Sequence, residues 1–233
     1  METSKSMLTE QKYSGWFVIV VAVFVTSLII SNIIAVKLVG VWALVFPAAV
    51  IIFPLSYIFG DVLTEVYGYA KARRVIWLGF LCNLLAVIVI WIGLKLPPAS
   101  FWPGQEAYEV ILGFTPRLLL ASFLAYLVGE FANSFVLAKM KIATEGRHLW
   151  TRTIGSTIIG QGLDSLVFIT IAFWGIIPTS GIVTAVLTQW IIKTVYETLA
   201  TPLTYWVVNY PKRVEGVDVF DRDTKFSPLK IKE

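Results

Sequence analysis

Hydrophobic residues in this chain come in long runs, without the alternation of strands or a single amphipathic stripe. Six runs, each bounded by charge or by Gly and Pro, cover roughly 15–36, 41–60, 75–94, 117–138, 153–176 and 182–208. Each is near the ~20 apolar residues that a helix needs to cross a bilayer core. None reads as outward-apolar alternating strands, which excludes a β-barrel. The pattern predicts an all-α integral membrane protein, a bundle of six transmembrane helices over 15–208. A polar segment, 1–14, precedes it and a basic tail, 209–233, follows. The first run is too long for a signal-peptide core and lacks a small-residue cleavage site, so it is expected to stay as a helix.

Composition agrees. The chain is 57% hydrophobic and only 15% charged, with a mean hydropathy of +0.77, whereas soluble domains carry ~25% charged residues. A disordered chain, a disulfide scaffold and a typical soluble enzyme are excluded. The net charge of +4 forms no single patch that would suit nucleic acid, so none is expected as a direct partner. Fifteen Lys and Arg fall on one side of the predicted spans, in the N-terminus, the second-to-third and fourth-to-fifth connections and the tail. Lys37, Lys95 and Arg117 fall on the other, and Lys193 lies inside the sixth span. The positive-inside rule then puts both termini in the cytoplasm. The longest outer connection, Lys95 to Pro116, suits an interfacial loop anchored by Phe101 and Trp102, or a lid over the outer mouth. Trp16, Trp42, Trp77, Trp91, Trp174 and Trp206 stand near span ends, where indoles anchor.

A charge at the bilayer centre costs at least ~2.5–3.5 kcal/mol and needs a reason. Glu130, Asp164 and Lys193 lie near the middle of the fourth, fifth and sixth spans, at one depth. Each has polar neighbours at helical spacing: Asn133 with Glu130, Gln161 with Asp164, and Gln189 and Glu197 on either side of Lys193. Such a ring of carboxylate, carboxamide and ammonium groups suits a flat polar ligand. A salt-bridged core would account for one pair, through Lys193 with Glu197, Asp164 or Glu130. Small residues at every fourth position, Ala121, Ala125 and Gly129, then Ser156 and Gly160, let helices approach and would bring Glu130 near Asp164.

A second acidic pair, Asp61 and Glu65, shares a helical face at the end of the second span, with Pro54 above it to break the helix. A gate or coupling-ion site is expected there, with Tyr57 and Asn32, against the simpler reading of a solvated helix end. The single cysteine, Cys82, and single histidine, His148, give no metal cluster and no nucleophile–base pair in the membrane. There is no Walker-type loop. No cofactor is expected.

The stretch Phe53-Pro54-Leu55-Ser56-Tyr57-Ile58-Phe59-Gly60-Asp61-Val62-Leu63-Thr64-Glu65-Val66-Tyr67-Gly68 resembles the defining segment of the queuosine precursor transporter family, earlier named as vitamin uptake transporters. Three more segments fit in order: Gly129-Glu130-Phe131-Ala132-Asn133-Ser134, Arg152-Thr153-Ile154-Gly155-Ser156 continuing to Gly160-Gln161-Gly162-Leu163-Asp164-Ser165, and Lys193-Thr194-Val195-Tyr196-Glu197. The resemblance implies a multi-pass protein of the bacterial inner membrane that imports a 7-deazaguanine for tRNA modification, either 7-cyano-7-deazaguanine or its aminomethyl relative. A guanine-like base presents adjacent N–H and amine donors, which Glu130 or Asp164 can accept in a two-pronged pair. The expected partners are this small molecule and the lipid bilayer, with a homodimer among the expected assemblies. Two other classes remain open: a substrate-binding subunit of an ATP-driven importer, and a structural membrane protein.

Overall fold

The computed structural model describes residues 14–41, 44–113 and 116–230. The N-terminal segment with Lys5 and Lys12, Trp42, and Lys232 lie outside the described residues. The helices are α1 (Gly15–Ile34), α2 (Phe53–Tyr67), α3 (Tyr69–Lys95), the short α4 (Gln105–Leu112), α5 (Pro116–Ala143), α6 (Leu149–Phe173) and α7 (Thr179–Glu215). Among the described residues four stretches are long and apolar enough to cross a membrane: α1, α3, α6 and Gln105–Ala143, which contains α5. The bundle is helical as expected, and six helices of 15 residues or more are present.

Two of the six depart from simple spans. The run at 41–60 is not one helix. Strands β1 (Leu38–Val41) and β2 (Leu44–Pro47) form an antiparallel hairpin with Leu38 opposite Pro47, and a 3-10 turn over Ala48–Ile51 leads into α2. β-branched Val39, Val41 and Val45 suit strands, and Pro47 cannot donate within a helix. Apolar content alone cannot tell a short strand from a helix, which is why the run read as a span. At 15 residues α2 is only about 22 Å long, short of a bilayer core. The sixth run, by contrast, extends through Pro202 and Pro211 to a 37-residue helix.

The expected loop between the second and third spans is a single residue. Gly68 has φ +87°, a left-handed conformation open to glycine, so Lys71, Arg73 and Arg74 belong to the first turns of α3. In the long connection, α4 folds back on the end of α3: Gln105 Nε2 donates to Leu94 O at 3.5 Å, while Phe101 and Trp102 stay exposed. The Arg117 guanidinium closes the other end of α6 by donating to the carbonyls of Ile171 and Trp174.

The burial pattern is that of a protein solvated by lipid. Leu81, Leu85 and Val89 on α3 and Ile191, Leu199 and Trp206 on α7 face outward, while Ser56, Asp61, Thr64, Glu65, Ser156, Gln161 and Glu197 face inward. α2 is at the centre. Its Val62, Leu63 and Val66 pack with Phe17, Val20 and Phe24 of α1, Ala72 and Val75 of α3, Leu149 of α6 and Val208 of α7. α5 and α6 meet through the expected small residues. A Cβ on Gly129 would stand 2.8 Å from Asp164 Cβ, and one on Gly160 would stand 2.7 Å from Asn133 Cβ.

The tail is not a free appendage. Residues 216–230 cross the Lys- and Arg-rich end of the bundle as a strap. Val219 N–H donates to Val66 O at 3.1 Å, and Tyr69 N–H donates to Asp221 Oδ2 at 2.9 Å. Arg73 donates to the Lys225 and Ser227 carbonyls, and Trp77 Nε1 to Pro228 O. Phe226 packs on Tyr69 and Phe135 beneath the Lys139 ammonium.

Gly160→Val is expected to lower stability by about 1–3 kcal/mol, because the α5–α6 approach leaves no space for a side chain. Gly15→Ala, at a position with nothing within 4 Å, is the control. Thermal unfolding in detergent reads both.

Candidate functional site

Backbone proximity at Gly129 and Gly160 brings the polar faces of α5 and α6 together, and α2 and α7 complete the ring. On α7, Lys193 pairs with the Asp164 carboxylate of α6. One turn along, Glu197 Oε1 accepts from Thr157 of α6 at 2.6 Å. Trp190 Nε1 donates to Ile158 O at 2.8 Å and lies over Gly162, which fixes the α6–α7 register. From α5, Asn133 Nδ2 donates to Asp61 Oδ1 of α2 at 3.0 Å. Glu130 reaches towards α2, with Oε2 only 3.3 Å from where a Cβ on Gly60 would stand. Tyr57 of α2 is half-buried beside Gln161, in electrostatic range of Asp164, Glu197 and Glu130.

Eight sequence candidates therefore meet: Glu130, Asn133, Gln161, Asp164, Lys193, Glu197 and, from the group expected at the gate, Asp61 and Tyr57. Asp61 is in range of both Glu130 and Glu197. Several buried polar atoms on α5, α6 and α7 have no partner among the described residues: Asn133 Oδ1, Gln161 Oε1, Gln189 Oε1, Ser165 Oγ, Thr194 Oγ1 and Glu197 Oε2. Stranded acceptors in an interior are costly unless a ligand or water supplies donors.

The other gate candidates part company. Glu65 is one turn beyond Asp61 yet belongs to a separate ionic knot at the strap end. Arg152 of α6 clamps it through two 2.8 Å bonds, Nε to Oε2 and NH2 to Oε1. Lys212 of α7 adds a 2.6 Å contact, and Lys141 of α5 lies 3.7 Å away. Lys141 and Lys212 also hold Asp218 of the strap. Burial acts to raise the Asp218 carboxyl, but these two ammonium groups outweigh it and hold the group below the usual carboxylate range. Asn32 is elsewhere again, donating from α1 to Asn83 Oδ1 of α3 at 2.9 Å.

Sequence reasoning assigned Arg152, Lys141 and Lys212 to loop charge and did not single out Thr157 or Asp218. The available signal was position: each of the three cations falls within one or two turns of a helix end, where it can turn inward as readily as outward.

Apolar outer faces around a polar interior define a multi-pass membrane protein. Residues 47–207 match the family model described as "Putative vitamin uptake transporter". The chain is 32% identical over 176 residues to the "Probable queuosine precursor transporter" of Bacillus subtilis (strain 168), covering 75% of this chain and 77% of that one. It is 29% identical over 122 residues to the "Queuosine precursor transporter" of Escherichia coli (strain K12), 52% of each chain. No solved structure matches. The chain belongs to this transporter family, the queuosine precursor transporters, and not to an enzyme family.

Two measurements test the ionic knot. Arg152→Met is expected to destabilise the chain by about 1–3 kcal/mol, because Glu65 loses its two-pronged partner and keeps only Lys212 and Lys141, and adding Glu65→Gln should restore part of the loss in thermal unfolding. Asp218 has a depressed folded-state pKa, so its contribution is complete above the unfolded carboxylate value of ~3.9 and is lost as pH falls through the lower folded value. Hydrogen-exchange protection factors at the Val219 and Tyr69 amides should therefore fall on acidification below about pH 4, and Asp218→Asn should remove that dependence.

Proposed function

We propose that this chain imports a queuosine precursor of the 7-deazaguanine type, 7-cyano-7-deazaguanine or its aminomethyl relative, across a bacterial inner membrane for tRNA modification. The printed names of the bacterial relatives support the cargo class. The observation that carries the reading is the set of buried acceptors without partners, the amide oxygens of Asn133, Gln161 and Gln189 and one oxygen of Glu197, beside the Glu130 and Asp164 carboxyls. A guanine-like base offers what they lack: ring N–H and exocyclic amine donors in one plane.

In this reading Glu130 or Glu197 accepts the two-pronged N–H pair, and the carboxamides contact the carbonyl and pyrrole edges. The Lys193–Asp164 pair gives the base a second polar wall, and the Tyr57 ring supplies a face. Transport proceeds by alternating access about this cluster. The ionic knot of Glu65, Arg152, Lys141, Lys212 and Asp218 is the gate on the strap side. The Lys and Arg bias supports a cytoplasmic location for that side and for both termini.

In cells that lack both synthesis and import of the precursor, the wild-type chain should restore tRNA queuosine when 7-cyano-7-deazaguanine is supplied. Glu130→Gln and Asp164→Asn, at matched abundance in the membrane, should each reduce that uptake at least tenfold. Normal uptake by both variants would remove the site from the mechanism, and failure of a well-expressed wild type would remove the cargo.

A further inference from the structure

The candidate site is short of hydrogen-bond donors and of positive charge. Its stranded acceptors include Gln161 Oε1 and Glu197 Oε2, on side chains that are 8% and 7% exposed. The titratable groups facing it are Tyr57 and Asp61 of α2, with Glu65 one turn on, Glu130 and Tyr126 of α5, Asp164 of α6, and Lys193 and Glu197 of α7. α1 has no titratable side chain, and α3 brings only Cys82 towards Tyr126. Glu65 has its own three cations, and Asp164 has Lys193. Asp61, Glu130 and Glu197 remain, each in range of another and none ion-paired among the described residues.

Three ionised carboxylates cannot stand together in a weakly polarisable interior, since each loses its hydration and repels the others. Protonation answers both deficits. It cancels the charge, and it turns a carboxyl oxygen into the O–H donor that the stranded amide oxygens need.

We propose that the empty site holds protons on the Asp61, Glu130 and Glu197 carboxyls, and that cargo binding expels at least one of them. This rests on the transport reading above. The donors of a guanine-like edge pair best with an ionised carboxylate whose two oxygens both accept. A protonated carboxyl presents one bare oxygen, and its own O–H meets the donors of the cargo head-on. Cargo and proton therefore compete for the same oxygens. As the N–H···O bonds form, the carboxyl proton leaves to water, and no covalent bond of the cargo changes. Cargo therefore binds more weakly on the more acidic side of the membrane, so the proton gradient does not drive import and the cargo follows its own concentration gradient inward.

The test is calorimetric titration of the purified full chain in detergent with 7-cyano-7-deazaguanine between about pH 5.5 and 7.5, with titration of the cargo alone as the control for its own protonation. Two buffers of different ionisation enthalpy count the protons released. Binding should tighten by up to ~10-fold per pH unit for each proton displaced, with about one proton released at the acid end. At least one of Asp61→Asn, Glu130→Gln and Glu197→Gln should lower that count while keeping the thermal midpoint. Binding that is independent of pH and buffer would overturn proton displacement and leave the transport reading standing, as would an unchanged count in all three variants. A folded chain that binds at no pH would overturn both.

Discussion

Acidic side chains on a short central helix impose the main constraint on this protein. α2 carries Tyr57, Asp61, Thr64 and Glu65 into an interior where water is scarce. Each group must be met by a neighbour, and the neighbours come from every large element. Glu65 draws Arg152 of α6, Lys141 of α5 and Lys212 of α7. Thr64 meets Ser134 of α5, and Asp61 meets Asn133. Removing α2 would leave Arg152 without a carboxylate and Lys141 and Lys212 with Asp218 alone, so the arrangement of the bundle depends on that one segment.

Two features of the same helix have opposite characters. Glu65 is over-supplied with partners, and its clamp extends through Lys141 and Lys212 to the strap. Asp61, four residues earlier, stands in a region under-supplied with donors. One turn of helix therefore separates a closed ionic knot from a cluster that contains unpartnered polar atoms. A displacement of α2 that opens the knot also moves Asp61 and Tyr57, the mechanical link that the proposed gate requires. The strap adds a covalent tether to this linkage, since it continues directly from α7, the helix that bears Lys193 and Glu197.

The hairpin before α2 explains how so short a helix is accommodated. Backbone groups in hydrocarbon must be paired. The β1–β2 ladder pairs them locally, and Ala48 N–H reaches Lys37 O at 2.8 Å to close the base. The chain can thus begin α2 at Phe53 without a full-length span above it, which puts Tyr57 and Asp61 at the level of Glu130, Asp164 and Glu197 instead of at a helix end.

Lipid solvation, the bundle and most of the polar ring were legible in the sequence, because runs of apolar residues and the cost of intramembrane charge are local properties. Glu130, Asn133, Gln161, Asp164, Lys193 and Glu197 could be placed together by counting turns, and Gly129 and Gly160 marked the contact that joins their helices. Local reasoning failed where a residue's partner is distant. Nothing near Glu65 in sequence identifies Arg152, 87 residues on, as its clamp, and nothing near Tyr69 points to Asp221. The hairpin was hidden because apolarity is the same for a strand and a helix. Asp61 looked like a partner of Glu65, but the two were sorted into different environments by packing. The sequence alone determined which residues had to be buried; which donor or cation each then met was decided by the tertiary structure, because pairing in an interior depends on distance through space.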